Sequence, residues 1–266
     1  MPKYFFASII SLLLCATTAI SQAKRTPLQE AIKLEIPREG GSNGASVAWH
    51  PIEKKYYVAM AGNVSYCLAL YNAKGKLLSS PDLETQFDVR GLWYNPATKS
   101  IQINGYDEFG WAEYKQDRTG TPTEVKTLFE GKNQPGAQSA GAFDPELKQV
   151  YFLNEDGDVN CYALKTGEYE KKIALYNADI ESISSAFEEE EYNTTTVIYT
   201  GIKDKEIGLL NAESKEIELF SKKTGVHTQT MVLPKDAPVA DRLNFAYSNG
   251  LYWLFDKETR IWYGYR

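Results

Sequence analysis

The residue types that carry acid–base or metal chemistry are sparse in this chain. Its 266 residues contain only two histidines, His50 and His227. His50 stands in a Trp-His-Pro turn, and the equivalent turns elsewhere carry Asn95, Asp144 and Glu188, which are typical turn caps. His227 has no partner at a recognisable spacing. The sequence therefore predicts a turn cap at His50, and neither a zinc site nor a Ser-His-Asp triad.

A short acidic segment, Asn154–Asp158, brings three carboxylates close together, as calcium loops do. It lacks the further alternating ligands and the distal glutamate that such loops require. Its Asp-Gly pair favours a hairpin turn between two strands. The sequons at Asn63 and Asn193 are glycosylation sites only in a host that glycosylates. We therefore expect no metal and no cofactor.

Strands must position any site that the chain carries. Aromatic residues favour strands, and they make up 13% of the chain, with 18 tyrosines and 5 tryptophans. A motif of small residues, an aromatic, a polar residue and then proline or glutamate recurs about every 45 residues. Such self-similarity, with several short strands per period, is typical of propellers and solenoids. The copies are Ala45–Pro51, Arg90–Pro96, Ser139–Pro145, Ile183–Glu189 and a shorter fifth copy, Leu243–Tyr247.

Further strands follow each copy and complete a four-stranded antiparallel unit. The outer strand of the first unit is predicted at Lys76–Leu78. The fourth unit is predicted to begin with Ile183–Glu189 as its inner strand. Its remaining strands are predicted at Thr196–Tyr199, Ile207–Ser214 and Glu216–Phe220.

This repeat resembles the blades of the broad β-propeller superfamily of NHL- and WD40-like repeats, although no family-defining motif such as the Trp-Asp dipeptide is present. The copies predict a single all-β domain over 24–266, a five-bladed β-propeller with four antiparallel strands per blade. Ala31–Ile36 is predicted to complete the last blade beside Ile261–Tyr265, which closes the ring and removes an exposed edge. The alternative is a sixth, degenerate blade within Lys222–Asp241.

In a propeller, the loops that enter the inner strands share one face with the loops that join second to third strands. Arg90 and Arg242 each stand before an inner strand, with an acid just upstream. A guanidinium there can bind a carboxylate, phosphate or sugar through two parallel hydrogen bonds. Alternatively, each arginine pairs with a neighbouring acid and holds adjacent blades together. The side chains predicted to bind a ligand are Arg90, Arg242, Asp88, Asp241, Glu181, Gln138, Tyr106 and Trp111.

These features favour a non-catalytic binding or scaffold module for a polar small molecule, a glycan, a peptide or a protein. The alternative is a hydrolase or lyase that acts on carbohydrate or lactone, an inference from fold analogy alone. A glycosidase needs two carboxylates about 5–9.5 Å apart across the channel. Asp88, Glu181 and Asp241 are the ones placed to serve.

The N-terminus has the pattern of a secretory signal peptide over residues 1–23. Lys3 precedes the apolar run Tyr4–Cys15, which is too short to span a membrane, and small residues then offer cleavage sites. The alternative is a buried N-terminal helix. Because Leu14 precedes Cys15, a lipid anchor is not predicted. We expect a secreted protein, periplasmic or extracellular, with no membrane anchor.

Two cysteines, Cys67 and Cys161, remain after cleavage. They occupy equivalent places two blades apart, farther than the ~7 Å that a disulfide spans between Cα atoms, so we predict that they do not bond. The net charge of −6 becomes −7 once Lys3 is removed. Since no basic residues cluster, nucleic acid is not an expected partner, and we expect a monomer.

Overall fold

The computed structural model describes residues 23–177, 183–184, 187 and 191–266, so nearly all of the predicted signal peptide lies outside the described residues. The described residues form 20 strands, with a 3-10 helix at Asp107–Phe109. Two strands precede the first blade, β1 (Lys24–Pro27) and β2 (Glu30–Glu35).

The other strands form five consecutive blades, each of which runs from the channel outward. Blade one contains β3 (Asn43–His50), β4 (Lys55–Ala61) and β5 (Leu68–Asn72). Blade two contains β6 (Val89–Asn95), β7 (Ser100–Gly105), β8 (Trp111–Gln116) and β9 (Pro122–Phe129). Blade three contains β10 (Ala142–Asp144), β11 (Gln149–Leu153), β12 (Val159–Ala163) and β13 (Tyr169–Ile173). Blade four contains β14 (Ile198–Tyr199), β15 (Ile207–Asn211), β16 (Glu216–Phe220) and β17 (His227–Val232). Blade five contains β18 (Phe245–Ser248), β19 (Leu251–Asp256), β20 (Ile261–Tyr265) and β2.

The five inner strands surround a central channel. β3 contacts β6 and β18, β10 contacts β6 and β14, and β14 contacts β18, which closes the ring. One hydrophobic cluster lies between each pair of neighbouring blades, because blade faces pack there. Small residues are required near the axis: a Cβ on Gly91 would lie 2.5 Å from the backbone nitrogen of Gly141 in the next blade.

The N-terminal segment closes the ring, as predicted. β2 pairs antiparallel with β20, from Glu30 opposite Tyr265 to Glu35 opposite Ile261. The sequence did not indicate β1, which adds a parallel fifth strand to the outer edge of blade four beside β17. The segment thus joins blade four to blade five and covers both outer edges.

The predicted strand order of blade four is wrong: each strand after Ile183–Glu189 lies one place nearer the channel than predicted. Within Ile183–Glu189, the Phe187 N–H donates to the Ile183 carbonyl (3.1 Å), a helical spacing rather than a strand ladder. The inner strand is β14, because a parallel bridge places Thr196 beside Ala140 at the entry to blade three. The strands predicted as second, third and outer are therefore the first, second and third.

The true outer strand of blade four, β17, lies within Lys222–Asp241, the segment that could have held a sixth blade. The count of five blades is thus confirmed. Blade one departs from the prediction of four strands. Lys76–Leu78 makes a single bridge, Tyr71 with Leu77, so blade one has three strands among the described residues.

Cys67 and Cys161 are both free and buried, which confirms that they do not bond to each other. Burial raises the pKa of the Cys67 thiol to about 11 and that of Cys161 to about 12, so both thiols stay protonated. Within the described ranges, no helix is long and apolar enough to span a membrane.

Candidate functional site

The two ends of the channel differ in chemistry. We call the end where the inner strands begin the upper mouth, marked by Asn43, Arg90 and Asn244. The end where they finish, marked by His50 and Asp144, is the lower mouth.

Arg90 holds the upper mouth together. Its Nη1 donates to Asp88 Oδ1 (2.6 Å), and its Nε donates to Gln138 Oε1 (2.6 Å). Its guanidinium lies over the Tyr106 ring, 4.7 Å from the centroid. Asp88 Oδ1 also accepts the Gly62 N–H from blade one (2.9 Å). Arg90 is 3% exposed, so its donors bind groups of blades two and three, and Asp88 extends the network to blade one.

Three buried asparagine side chains also form hydrogen bonds between neighbouring blades. Asn104 donates to the Ser139 carbonyl (2.8 Å) and accepts the Gly141 N–H (2.9 Å) at the entry to blade three. Asn193 donates to the Leu243 carbonyl at the entry to blade five (2.8 Å). Asn244 accepts the Gly44 N–H of blade one (2.8 Å). Sequence reasoning missed all three; Asn193 and Asn244 carry the signal of an asparagine before an inner strand, whereas Asn104 lies in the second strand of blade two.

The remaining predicted site residues are dispersed. Arg242 and Asp241 are exposed, and their backbone carbonyls bond to Asn244 and Thr194. Arg242 lines a cavity of about 400 Å³ with Gln138. Trp111 reaches no surface; it is buried between blades two and three against Trp93, Phe129 and Phe152, so its place is the core. Glu181 lies outside the described residues.

The lower mouth opens into a cavity of about 360 Å³ inside the channel. All five inner strands line it, and each places one aromatic side chain near its lower end, while Trp93 and Phe245 also belong to the lining. Its polar side-chain groups are hydroxyls, two indole N–H groups and one amide, and Ser46, Thr196 and Asn249 are among the residues that supply them. The five aromatic residues at the lower ends of the strands, which we call the aromatic ring, are Trp49, Tyr94, Phe143, Tyr199 and Tyr247.

Each member of the aromatic ring packs on a second ring. The centroid of Trp49 lies 4.5 Å from that of Tyr56, and Tyr247 lies 5.0 Å from Tyr252. Such contacts fix the orientation of the rings at the pocket wall. Burial raises the pKa of Tyr199 to about 12, with the Asp144 charge adding to it. Its phenol therefore stays neutral at physiological pH and can donate a hydrogen bond.

Polar residues behind the aromatic ring cap the turns. His50 Nδ1 accepts the Glu53 N–H (3.2 Å), which confirms the predicted turn cap. Asp144 Oδ1 accepts the Glu146 N–H (2.8 Å), and its Oδ2 binds Lys222 Nζ (2.8 Å). Burial acts to raise the Asp144 pKa, but the hydrogen bonds from Lys222 and Tyr151 outweigh it and lower that pKa.

The predicted hairpin at Asn154–Asp158 is also confirmed, since Asn154 Oδ1 accepts the Asp156 and Asp158 N–H groups. Across the part of the chain that the structure describes, no group of three His, Cys, Asp or Glu side chains could hold a metal ion.

Among solved structures, a glutaminyl cyclase from Myxococcus xanthus is similar to this chain. The TM-score is 0.58 at 7% identity, over 92% of this chain and 98% of that one. The chain is a β-propeller. At this identity the likeness shows the fold alone. A nidogen–laminin complex matches with a TM-score of 0.39 at 10% identity, over 71% of this chain and 63% of that chain, which is too weak for an argument. No family model and no curated protein matches the sequence.

Proposed function

We propose that this chain is a secreted, non-catalytic binding module, and that its ligand places an uncharged ring or apolar side chain in the lower-mouth pocket. The observation that carries this proposal is the lining of the pocket. Its described residues include no carboxylate, imidazole, ammonium or guanidinium group. A volume of about 360 Å³ lies within the usual size range of ligand pockets.

The chemistry of the lining favours binding over catalysis. Aromatic faces stack on sugar rings, proline rings and aromatic side chains, while hydroxyls at the wall fix orientation. Acid–base catalysis needs a titratable group within hydrogen-bond reach of the reacting atom. Of the two predicted carboxylates that can be located, Asp88 is bound to Arg90 and Asp241 is exposed at the other end. Both facts argue against the hydrolase or lyase alternative.

Ligand-observed NMR with methyl β-D-glucoside and N-acetyl-tryptophanamide tests the proposal. We expect at least one probe to bind, and Trp49→Ala to weaken its binding about tenfold, the scale of one good contact. The matched control is Phe109→Ala, which removes an aromatic side chain that is 43% exposed at the other end. Binding that survives Trp49→Ala but is lost in Arg242→Ala would move the site to the upper mouth.

A further inference from the structure

The surface around the lower-mouth pocket is apolar as well. Ile52 follows the pocket-lining Pro51 and is 61% exposed. Leu147 and Ile202 occupy the equivalent turns of blades three and four, and each is 45% exposed. Single exposed apolar residues are ordinary, but three around one aromatic pocket form a patch of the kind that binds another molecule.

Lysines stand beside these apolar side chains. The turns that follow the inner strands of blades one to four each carry one exposed lysine, and we call these four the lysine rim: Lys54, Lys99, Lys148 and Lys203. Within the described part of the chain, none of the four forms an ion pair.

Three acids share these turns: Glu53, Glu146 and the exposed Asp204. Glu53 accepts the Tyr57 hydroxyl (2.7 Å), and Glu146 is paired with Lys222 (2.7 Å). Residues 51–55, 96–99, 145–148 and 201–205 together hold six lysines against these three acids, so the surface at the lysine rim is locally positive on a chain whose net charge is −6. Charge of one sign around an apolar pocket selects partners that carry the opposite sign.

We infer that the lower mouth docks an acidic protein segment, which inserts one aromatic or apolar side chain into the pocket and sets its carboxylates against the lysine rim. This rests on the proposed function, since it names the occupant of the same pocket. A buried anchor surrounded by complementary charge is the usual plan of a protein interface. A protein segment is long enough to reach several blades, as the lysine rim does, whereas a sugar ring reaches only the pocket.

Three blocked pentapeptides test the inference by calorimetry on the full chain: a central tryptophan flanked by aspartate and glutamate, by serine, or by lysine. We expect the acidic peptide to bind about tenfold more tightly than the basic one at low ionic strength, and the gap to narrow as salt is added. Equal affinity for all three peptides would overturn the acidic partner and leave the binding pocket in place.

Charge reversal tests whether the preference for the acidic peptide depends on the lysine rim. The variant Lys54→Glu, Lys99→Glu, Lys148→Glu, Lys203→Glu is expected to abolish or invert the preference. The control makes the same change in net charge at exposed lysines elsewhere, by Lys24→Glu, Lys171→Glu, Lys235→Glu and Lys257→Glu. An equal loss in the control would show a general charge effect and overturn the lysine rim.

Two further outcomes separate this inference from the proposed function. If methyl β-D-glucoside binds the pocket and no peptide does, the partner is a small molecule and the inference fails alone. If no probe of either kind binds, both fail. Sedimentation with phosphatidylglycerol vesicles, lost on reversal of the lysine rim, would replace the acidic protein with a membrane surface and overturn the inference.

Discussion

The two mouths of the channel use the same five strands in opposite ways. At the upper mouth, buried polar side chains meet: Arg90 is bound to Asp88 and Gln138, and Asn104 joins blade two to blade three. At the lower mouth, the aromatic ring lines the cavity, and the polar side chains of His50 and Asp144 cap turns behind it. The upper mouth holds the ring of blades together, whereas the lower mouth presents an accessible aromatic wall.

This difference teaches how to assign roles to polar residues near a propeller axis. In the sequence, a charged side chain at the entry to an inner strand looks free to bind a ligand. In the folded chain, neighbouring residues supply acceptors for its hydrogen-bond donors. Because a buried guanidinium that is already bonded to Asp88 and Gln138 cannot bind a ligand without first breaking those bonds, we expect Arg90 to stabilise the fold. Inside the channel, the side chains that line the open cavity at the lower mouth are largely aromatic.

The largest effect is expected at Arg90. Arg90→Ala leaves Asp88 buried without its cation, so the free energy of unfolding should fall by about 3–5 kcal/mol, as when one partner of a buried ion pair is removed. Exposed Arg242 is the matched control, and Arg242→Ala should change stability by less than about 0.5 kcal/mol. Urea denaturation measures both. Equal losses would erase the distinction between the two arginines.

Asn104 offers a second comparison between the upper and the lower mouth. Asn104→Ala leaves the Gly141 N–H and the Ser139 carbonyl without their partner in a buried site, at a cost of about 2–3 kcal/mol. Asn249→Gly at the lower mouth is the control, because it removes one hydrogen bond, to the Tyr56 hydroxyl (2.6 Å), and glycine accepts the positive φ of 53° found there. If the control is the more destabilising of the two, the amides are not what ties the blades.

Asp144 carries a pH dependence behind the lower mouth. Its pKa is lowered in the folded protein, so its contribution is present above the ordinary Asp pKa and is lost as the pH falls through the lowered value. The free energy of unfolding should drop by about 1.5 kcal/mol over that acid range, the size of one hydrogen bond to a charged group.

Asp144→Asn should flatten this acid limb in urea titrations from neutral pH downward. Glu146→Gln, which alters a more exposed acid on the same lysine, should leave it nearly unchanged. An Asp144→Asn profile that still falls as steeply would place the titration elsewhere.

The repeat predicts most of the architecture, and the strand order of blade four shows what a repeat cannot predict. The pattern predicts Thr196–Tyr199 as a second strand because Ile183–Glu189 fits the motif of an inner strand equally well. The choice depends on the Ala140–Thr196 bridge, a contact between blades that no local pattern encodes. The role of Arg90 is undecidable from the sequence for the same reason, since Gln138 and Tyr106 lie on separate loops.

The lower-mouth site is also visible in part. The aromatic residue of the repeat motif, as in Trp49 and Tyr94, recurs in the sequence, but its recurrence alone indicates architecture rather than a site. Four of these motif residues line one cavity together with Tyr199, because the closed ring places equivalent positions around a common axis.

The smallest effect on stability is expected in the aromatic ring itself. Tyr247→Leu keeps an apolar contact with Tyr252 and removes a hydroxyl at the pocket wall. The free energy of unfolding should therefore change by less than about 1 kcal/mol. A thermal melt of this variant, beside that of Arg90→Ala, compares the two mouths directly. A Tyr247→Leu loss as large as that of Arg90→Ala would make the aromatic ring part of the scaffold.

The indole N–H signals of the five tryptophans test the central claim most directly. Trp49 and Trp93 line the lower-mouth pocket, whereas the other three are buried away from it: Trp111, Trp253 and Trp262. Titration with N-acetyl-tryptophanamide, followed by two-dimensional NMR and assigned with Trp→Phe variants, should shift the Trp49 and Trp93 signals and leave the other three in place. Shifts confined to backbone signals around Arg242, with both pocket indoles unmoved, would contradict a lower-mouth site.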